Sequence, residues 1–213
     1  MNFLSAELEN YIEQHSEAET ALLKKLNRDT YAHVLAPRML SGHLQGRVLA
    51  MLSRMIKPKQ ILELGTFTGY SALCLAEGLS PEGRLHTIDV NEELHDMVKA
   101  YIEASPFMEQ IKLYNGKAAD ILPHLDVVFD LVFIDADKEN YSNYFDLIID
   151  KVAVGGYIIA DNVLWSGNVI KPATQRDDET EHLIAFNKKV QDDVRVRNVL
   201  FPVRDGLMIC EKI

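Results

Sequence analysis

Two apolar segments of this chain, 131–134 and 157–160, end in side chains that could bind a cation. The residues that follow them are Asp135, Asp137 and Lys138 after the first segment, and Asp161 and Asn162 after the second. In a parallel α/β sheet, ligands bind at the carboxyl ends of the strands. The two carboxylates Asp135 and Asp161, with the Asn162 amide, would form part of an octahedral shell for Mg²⁺. Mn²⁺ or Ca²⁺ would also suit these hard oxygen ligands.

The spacing between Asp135 and Asp161 suits one strand–helix–strand unit, so the two carboxylates are expected to be neighbours in space. Asp137 is expected to face a cofactor rather than the metal. Lys138 would serve as a general base if a nearby cation favoured its neutral form. The alternative is that acidic residues end these strands because the strands end in solvent, with Lys138 as a surface lysine.

A glycine-rich turn lies between the first strand of the alternating pattern and a helix, at residues 63–71. Gly65 and Gly69 would allow a tight turn and the close approach of a ligand, and the helix that follows favours polar or anionic ligand groups. The dinucleotide-binding fingerprint fails, because Phe67 and Tyr70 stand where it requires glycine.

Two acidic residues flank this turn and indicate what it could bind. Glu63 precedes the turn and suits a ligand that carries positive charge. Asp89 ends the second strand, where a carboxylate can accept both hydroxyls of a ribose. The pair predicts a site for a nucleoside with a cationic portion, a description that fits S-adenosylmethionine. A structural turn with incidental acids is the alternative.

The 213 residues suit one α/β domain, and 47% hydrophobic with 25% charged residues is ordinary for a globular protein. A net charge of −10 weighs against a phosphate-rich partner. Cys74 and Cys210 lie in apolar stretches and are expected to be buried free thiols. With no signal peptide and no membrane-length apolar run, a soluble cytoplasmic protein is expected.

Hydrophobic periodicity predicts two helices within 3–35, the first with Leu4 on its apolar face, and then alternating strands and helices. The predicted strands span 61–64, 85–90, 111–114, 131–134, 157–160, 196–203 and 207–213. The further helices span 43–56, 70–79, 92–103, 117–122, 141–152 and 178–191, with an irregular stretch at 161–178. The short gap before residue 207 permits a hairpin and forbids a parallel crossover. This predicts one domain, 1–213, with a helical extension (1–36) and an α/β core (37–213) whose mostly parallel seven-stranded sheet ends in an antiparallel hairpin.

Several other side chains have weaker expectations. Met51 and Met55 lie one turn apart on a helix and are expected in the core. Tyr141 and Tyr144 are expected mainly to pack. Trp165, the only tryptophan, could line a substrate pocket or serve as a packed anchor.

The chain resembles the cation-dependent class I O-methyltransferases, the group that contains plant caffeoyl-coenzyme A O-methyltransferases and animal catechol O-methyltransferase. The resemblance runs from residue 38 to the carboxyl terminus. It is carried by Glu-Leu-Gly-Thr-Phe-Thr-Gly-Tyr-Ser (63–71), Ile-Asp-Val (88–90), Phe-Ile-Asp-Ala-Asp-Lys-Glu-Asn-Tyr (133–141), Gly-Gly-Tyr-Ile-Ile-Ala-Asp-Asn-Val-Leu-Trp (155–165) and Arg-Asp-Gly-Leu (204–207).

The resemblance implies a Rossmann-like fold, S-adenosylmethionine as methyl donor, a divalent cation and roles for individual residues. Asp135, Asp161 and Asn162 match the metal ligands, and Lys138 matches the proposed base. The positions that match cofactor-binding residues are Met39, Glu63, Gly65, Ser71, Asp89, Ala118 and Asp137. Ser41, with Met39, matches a segment that closes over cofactor and metal. Here the chain departs from its plant relatives, which have threonine and then serine where Ser41 and Gly42 stand.

Family members are commonly dimers, so a homodimer with a small-molecule acceptor is expected, and a vicinal-dihydroxy (catechol-type) compound is the simplest acceptor. The first alternative is methylation of a hydroxylated uridine in transfer RNA, for which a basic patch could form from Lys24, Lys25, Arg28, Arg38 and Arg47. The others are a nicotinamide-dependent oxidoreductase, which the failed fingerprint disfavours, and a non-catalytic nucleoside-binding or dimerisation module.

Overall fold

The structure, a computed structural model, describes residues 5–213, which form two compact units. The first unit comprises residues 5–117, and the second comprises residues 118–213. The expected start of the first helix, including Leu4, lies outside the described residues. The division into an extension (1–36) and a core (37–213) stays a prediction.

Three helices begin the first unit. They are α1 (Ala6–Gln14), α2 (Ala21–His33) and α3 (Gly42–Ile56). Ser5 and Thr20 begin α1 and α2, and each side chain accepts a hydrogen bond from a backbone N–H of the first turn. These helices confirm the predicted N-terminal pair and the helix that follows it.

Three parallel strands form the sheet of the first unit. They are β1 (Gln60–Leu64), β2 (Arg84–Asp89) and β3 (Ile111–Asn115), connected through α4 (Tyr70–Ala76) and α5 (His95–Glu103). Strand β2 lies between the other two. Ile61, Leu62 and Leu64 are buried, because a parallel strand covered on both faces has no polar side. Strand β1 therefore leads the chain into the glycine-rich turn from a rigid core.

The second unit contains four strands and three helices. The strands are β4 (Phe129–Ile134), β5 (Val152–Ala160), β6 (Val196–Phe201) and β7 (Leu207–Lys212), and the helices are α6 (Ala118–Ile121), α7 (Tyr141–Ile149) and α8 (Asp178–Asp192). Strands β4 and β5 are parallel, whereas β7 runs antiparallel to both β5 and β6. The predicted hairpin is therefore confirmed.

Some local predictions were wrong. Strand β5 begins at Val152, well before the predicted residue 157, and two 3₁₀ helices, Trp165–Ile170 and Ala173–Gln175, occupy part of the stretch predicted to be irregular. Met51 and Met55 are 52% and 72% exposed rather than in the core. Helix α3 buries a different face, so the shared face of the two methionines points away from the core.

The burial of the two cysteines agrees with prediction, since Cys74 and Cys210 are buried free thiols. Among residues 5–213, no helix has the length and apolar character needed to cross a bilayer. The predicted α/β fold class, with parallel strands and an antiparallel C-terminal hairpin, is confirmed.

Candidate active site

Residues 65–69, here called the glycine turn, connect β1 to α4 through left-handed backbone. Gly65 and Gly69 have φ values of 96° and 87°, and Phe67 has φ 48° although it is not glycine. The Gly65 N–H donates to the carbonyl of Ile88 at 2.9 Å, which ties the turn to β2. Gly69 precedes the first residue of α4. The turn thus places backbone N–H groups at a helix amino terminus, where a polar ligand group can be bound.

The Asp89 carboxylate closes this turn from the end of β2. Its Oδ2 accepts the backbone N–H groups of Thr66 and Phe67, each at 2.8 Å, and its Oδ1 accepts the N–H of Asn91 at 2.9 Å. A carboxylate offers about four acceptor positions, so one remains on Oδ1. Asp89 therefore shapes the turn, and its predicted contact with a ribose stays a prediction.

Glu63 and Ser71 are both buried beside the glycine turn. Glu63 is fully buried, and its Oε2 accepts a hydrogen bond from the Thr87 hydroxyl at 2.5 Å. The Thr66 and Thr87 hydroxyls also lie 2.5 Å apart, which links the turn to Glu63. Ser71 lies in the first turn of α4 and is 6% exposed. The structure places both residues at the turn, and their contacts with a cofactor stay predictions.

The structure connects helix α2 directly to the glycine turn, which the sequence did not indicate. The Thr30 hydroxyl donates to the Thr68 hydroxyl at 3.2 Å, and both residues are fully buried. No pattern of residue types marks two threonines so far apart in the chain as partners.

Two further residues of the prediction, Met39 and Ser41, follow α2. Met39 ends the 3₁₀ helix Pro37–Met39 and is 59% exposed, whereas Ser41 is 7% exposed. Their contacts with a cofactor stay predictions.

The acidic strand ends, Asp135, Asp161 and Asn162, meet in the second unit as predicted. Ile134 and Ala160 are register partners in β4 and β5, so the two carboxylates follow paired positions. The Asp161 N–H donates to the Ile134 carbonyl at 2.9 Å, and Asp161 is 3% exposed. The Asn162 N–H donates to Asp161 Oδ1 at 2.7 Å, in a left-handed conformation with φ 59°. The left-handed turn at Asn162 thus directs its backbone N–H to the Asp161 carboxylate.

Lys138 lies against these residues and is 8% exposed. Its Nζ donates to Asp135 Oδ1 at 3.0 Å and to the Tyr141 hydroxyl at 2.7 Å. The same Nζ lies 4.8 Å from the centre of the Tyr141 ring and 5.9 Å from the centre of the Trp165 ring. Lys138 is therefore a buried ammonium held by one carboxylate, one hydroxyl and two aromatic rings, and not a surface lysine.

Tyr141 packs in the core, as expected, but its hydroxyl also belongs to the site. The side chain is fully buried, and the hydroxyl lies 3.3 Å from the Ile134 carbonyl and 3.1 Å from the Asp161 carbonyl. Burial, with the nearby carboxylates, raises the pKa of Tyr141 well above its ordinary value, so the phenol remains protonated. Its spacing of three residues from Lys138 was a sequence signal, but it did not show where the hydroxyl points.

Trp165 reaches Lys138 from a strained turn. Trp165 and Ser166 have φ values of 45° and 53°. The preceding Leu164 donates its N–H to the Asp205 carbonyl at 2.9 Å, and a side chain at Gly206 would lie 2.5 Å from Leu164. The 204–207 segment thus supports the loop that carries Trp165. The structure places the tryptophan beside the candidate base rather than in a purely apolar core.

Two predicted cofactor residues belong to the second unit. Asp137 accepts hydrogen bonds from the Tyr144 hydroxyl at 2.5 Å and from the Asn140 side-chain amide. Ala118 is the first residue of α6 and is 7% exposed. The structure gives Asp137 a defined orientation, and the contacts of both residues with a cofactor stay predictions.

The donor set of the acidic strand ends fits a hard divalent cation. Asp135 and Asp161 supply carboxylate oxygens and Asn162 an amide oxygen, which is the chemistry that Mg²⁺ prefers. The described residues contain no cluster of three or more His, Cys, Asp or Glu side chains arranged for a metal. The candidate set instead combines two carboxylates with the amide of Asn162 as its third ligand.

The basic patch considered for nucleic acid loses members to ion pairs. Arg47 is 7% exposed and pairs with Glu77 at 2.6 Å and with Glu17 at 3.3 Å. Lys25 pairs with Asp29 at 2.6 Å. The expectation that Arg47 joins a surface patch was wrong, because helix packing buries it beside carboxylates.

Comparison with known proteins gives the family. The model of the O-methyltransferase family matches residues 13–213. A caffeoyl-CoA O-methyltransferase of Petroselinum crispum is 35% identical over 206 residues, which cover 92% of this chain and 85% of that protein. A second, from Petunia hybrida, is 34% identical over 183 residues, which cover 79% and 74% of the two chains. The chain therefore belongs to the O-methyltransferase family.

Solved structures agree over nearly the whole chain. The SAH-bound methyltransferase PaMTH1 of Podospora anserina superposes with a TM-score of 0.90 at 27% identity, covering 100% of this chain and 97% of that one. An O-methyltransferase of Bacillus cereus in complex with SAH gives 0.89 at 27% identity and covers 97% of each chain. The Rossmann-like methyltransferase fold and the predicted enzyme class, an S-adenosylmethionine-dependent O-methyltransferase of the caffeoyl-CoA type, are confirmed. The nicotinamide alternative is thereby disfavoured.

Proposed function

We propose that this chain methylates one of two adjacent hydroxyls on a small catechol-type molecule, with S-adenosylmethionine as donor and a divalent cation, most simply Mg²⁺, as the acceptor's anchor. The observation that carries the proposal is the pairing of Asp135 and Asp161 at the ends of register-matched strands, with Lys138 against Asp135. A nucleoside-binding turn alone would not need these groups.

The cofactor side of the proposal rests on the glycine turn. Asp89 holds the turn through the Thr66 and Phe67 N–H groups and keeps one acceptor position for a ribose hydroxyl. Two similar solved structures are SAH complexes, and a third, that of the Streptomyces achromogenes O-methyltransferase TomG, is a SAM complex. The proposed cofactor residues of this chain are Met39, Glu63, Gly65, Ser71, Asp89, Ala118 and Asp137.

The acceptor side of the proposal rests on Asp135, Asp161 and Asn162, which would hold the cation. When bound there, a divalent cation would bind both oxygens of a vicinal diol and make the attacking hydroxyl more acidic. Lys138 Nζ lies 3.0 Å from Asp135. In the neutral form that a bound cation would favour, Lys138 would receive the proton that the hydroxyl loses. The oxygen–methyl bond forms as the carbon–sulfur bond breaks, and the electron pair of that bond stays on sulfur. Trp165, beside Lys138, would form a wall for a flat aromatic acceptor.

The names of the relatives support this acceptor class. The matched plant proteins are caffeoyl-CoA O-methyltransferases, and a caffeoyl group carries two adjacent phenolic hydroxyls. Chelation by a cation needs that adjacency, whereas a single hydroxyl would leave one coordination position to water.

The test measures methyl transfer to a panel of ortho-dihydroxyphenyl compounds, to matched mono-hydroxyphenyl compounds and to purified transfer RNA. Activity should be restricted to the ortho-diols, should disappear with EDTA and should return with Mg²⁺ or Mn²⁺. Asp161→Asn should lower kcat/KM by about 100-fold or more, since a metal centre supplies several kcal/mol to the transition state. Titration of Mn²⁺ into the cofactor-free protein should show weaker binding by the variant.

The matched control is Asp192→Asn, a carboxylate of α8 that pairs with Lys188 on the surface of the same unit. It should leave metal binding and activity unchanged. Full activity of Asp161→Asn in EDTA would remove the metal role, and transfer to RNA but to no diol would overturn the acceptor class.

We also propose that the chain forms a homodimer. Helix α1 buries no residue, and Leu8 and Tyr11 on it are 46% and 58% exposed. An amphipathic helix with an exposed apolar face is typical of an interface. Light scattering on the purified protein should give twice the 24.1 kDa chain mass, and a monomer at micromolar concentration would contradict the proposal.

A further inference from the structure

Two tyrosines of α7 bind different residues of the segment that follows β4: Tyr141 binds Lys138, and Tyr144 binds Asp137. The Tyr141 hydroxyl accepts from Lys138 Nζ at 2.7 Å, and the Tyr144 hydroxyl donates to Asp137 at 2.5 Å. Because residues three apart on a helix lie on neighbouring parts of its surface, one turn of α7 reaches both side chains. The two hydroxyls differ in surroundings, since Tyr141 is fully buried and the Tyr144–Asp137 contact is exposed.

The Tyr141 hydroxyl contacts Lys138 and the ends of two strands. It contacts the carbonyl of Ile134, at the end of β4, and the carbonyl of Asp161, just after β5. A phenol can donate one hydrogen and accept others, so it can donate to a strand end while it accepts from Lys138. Its ring lies edge-on to Phe186 of α8 at 5.4 Å between centroids. Packing against α8 therefore orients the Tyr141 ring, and the Tyr141 hydroxyl in turn bonds Lys138 Nζ.

We propose that Tyr141 is a positioning residue for Lys138: its hydroxyl holds the lysine Nζ beside Asp135 and joins it to the two strand ends that carry the acidic residues. This inference rests on the proposed role of Lys138 in methyl transfer. Without the hydroxyl, only Asp135 and the two aromatic rings would retain the ammonium among its described contacts. A long, flexible lysine would then sample other rotamers, and the reacting geometry would be populated less often.

Tyr141→Phe isolates the hydroxyl, because it keeps the ring that packs on Phe186. The Ile134 carbonyl also keeps its hydrogen bond from the Asp161 N–H. We expect kcat to fall about 10-fold to 100-fold, as for loss of a hydrogen bond to a charged group, while KM for S-adenosylmethionine changes less than about twofold. The thermal unfolding midpoint should remain close to that of the parent protein.

A second readout needs neither metal nor substrate. Trp165 is the only tryptophan of the chain, and the Lys138 ammonium lies 5.9 Å from its ring. Tryptophan emission responds to a nearby charge, so Lys138→Met gives the spectrum of the protein without the ammonium. The emission of Tyr141→Phe should move from the parent spectrum towards that of Lys138→Met.

The matched control is Tyr157→Phe in β5 of the same unit, since its hydroxyl makes no hydrogen bond within residues 5–213 and it lies outside the proposed machinery. It should change neither kcat nor emission. Tyr144→Phe tests whether the two tyrosines have different roles. Because the Tyr144 hydroxyl bonds the proposed cofactor residue Asp137, this variant should raise KM for S-adenosylmethionine more than it lowers kcat.

Parent-like kcat in Tyr141→Phe would overturn the proposal. So would lower kcat with parent-like emission, or a kcat loss that merely follows a lower unfolding midpoint. If EDTA leaves the parent fully active, the metal-dependent function fails, yet emission still decides whether Tyr141 positions Lys138.

Discussion

In the glycine turn a carboxylate binds backbone N–H groups, whereas at the acidic strand ends the bonds that hold Lys138 join side chains. Asp89 accepts the backbone N–H groups of Thr66 and Phe67, and left-handed residues set the path of the turn. At the strand ends, Lys138 is held by the Asp135 carboxylate and the Tyr141 hydroxyl. A cofactor common to a whole enzyme class can be bound by a backbone scaffold. Proton transfer and metal binding need particular side chains in particular orientations.

The two regions should lose different amounts of folding stability when one carboxylate is removed from each. Asp89→Ala should lower the free energy of unfolding by about 2–4 kcal/mol, because hydrogen bonds to a charged group are worth about 1.5–3 kcal/mol each and water replaces them only in part. Asp135→Ala should cost less, about 1–2 kcal/mol, since among described residues its side chain makes one hydrogen bond, to Lys138, and the Tyr141 hydroxyl still accepts from that lysine. Urea unfolding of both variants measures this. Equal losses would show that the two regions are not built differently.

The order of these two variants should reverse when methyl transfer is measured in place of stability. Asp135→Ala should abolish metal-stimulated methyl transfer in a protein that remains folded at 25 °C. If Asp135→Ala unfolds the protein instead, the acidic strand ends are a structural element as much as a site.

A smaller effect is expected from a methyl group at the glycine turn. Gly69 has φ 87°, and a left-handed backbone costs a residue with a side chain about 1–2 kcal/mol. Gly69→Ala should therefore lower stability by that amount and weaken S-adenosylmethionine binding about 10-fold, as measured by calorimetry. A cofactor affinity equal to that of the parent protein would show that the turn conformation does not control binding.

Gly155→Ala is the matched control for backbone strain. Gly155 has φ 78°, and a side chain there would meet no atom within 4 Å. It should cost similar stability and leave cofactor affinity unchanged. If it also weakens binding, the effect of Gly69→Ala reflects general destabilisation.

The smallest predicted difference concerns the thiols, one in each unit. Burial raises the pKa of Cys74, in α4, and of Cys210, in β7, to about 12 from an ordinary 9.0, although Arg47 opposes the shift at Cys74. Folded chains then keep protons that unfolded chains lose, so this contribution to stability is present below pH 9 and falls towards pH 12. Neither thiol should react with iodoacetamide at pH 8 until urea unfolds the protein. Rapid native alkylation of one, located by mass spectrometry, would show that its unit opens.

The elements that could be predicted are those with strong local signals. The apolar strands before Asp135 and Asp161, the glycine turn and the C-terminal hairpin all follow from runs of residue types and short gaps. The burial of Met51 and Met55 was wrong, because spacing of four residues shows that two side chains share a face but not which face the core covers. The early start of β5 was missed because Gly155 and Gly156 weaken a strand pattern, whereas pairing with β4 extends it.

The sequence by itself determined the alternation of strands and helices, the acidic residues at strand ends and the failure of the dinucleotide fingerprint, since each depends on neighbouring residues. Only the tertiary structure decided that Asp89 turns back onto the glycine turn, that Thr30 reaches Thr68 and that the Tyr141 hydroxyl lies between Lys138 and two strand ends. These contacts depend on the direction of a side chain and on packing between distant segments. Residue type and spacing restrict both but specify neither.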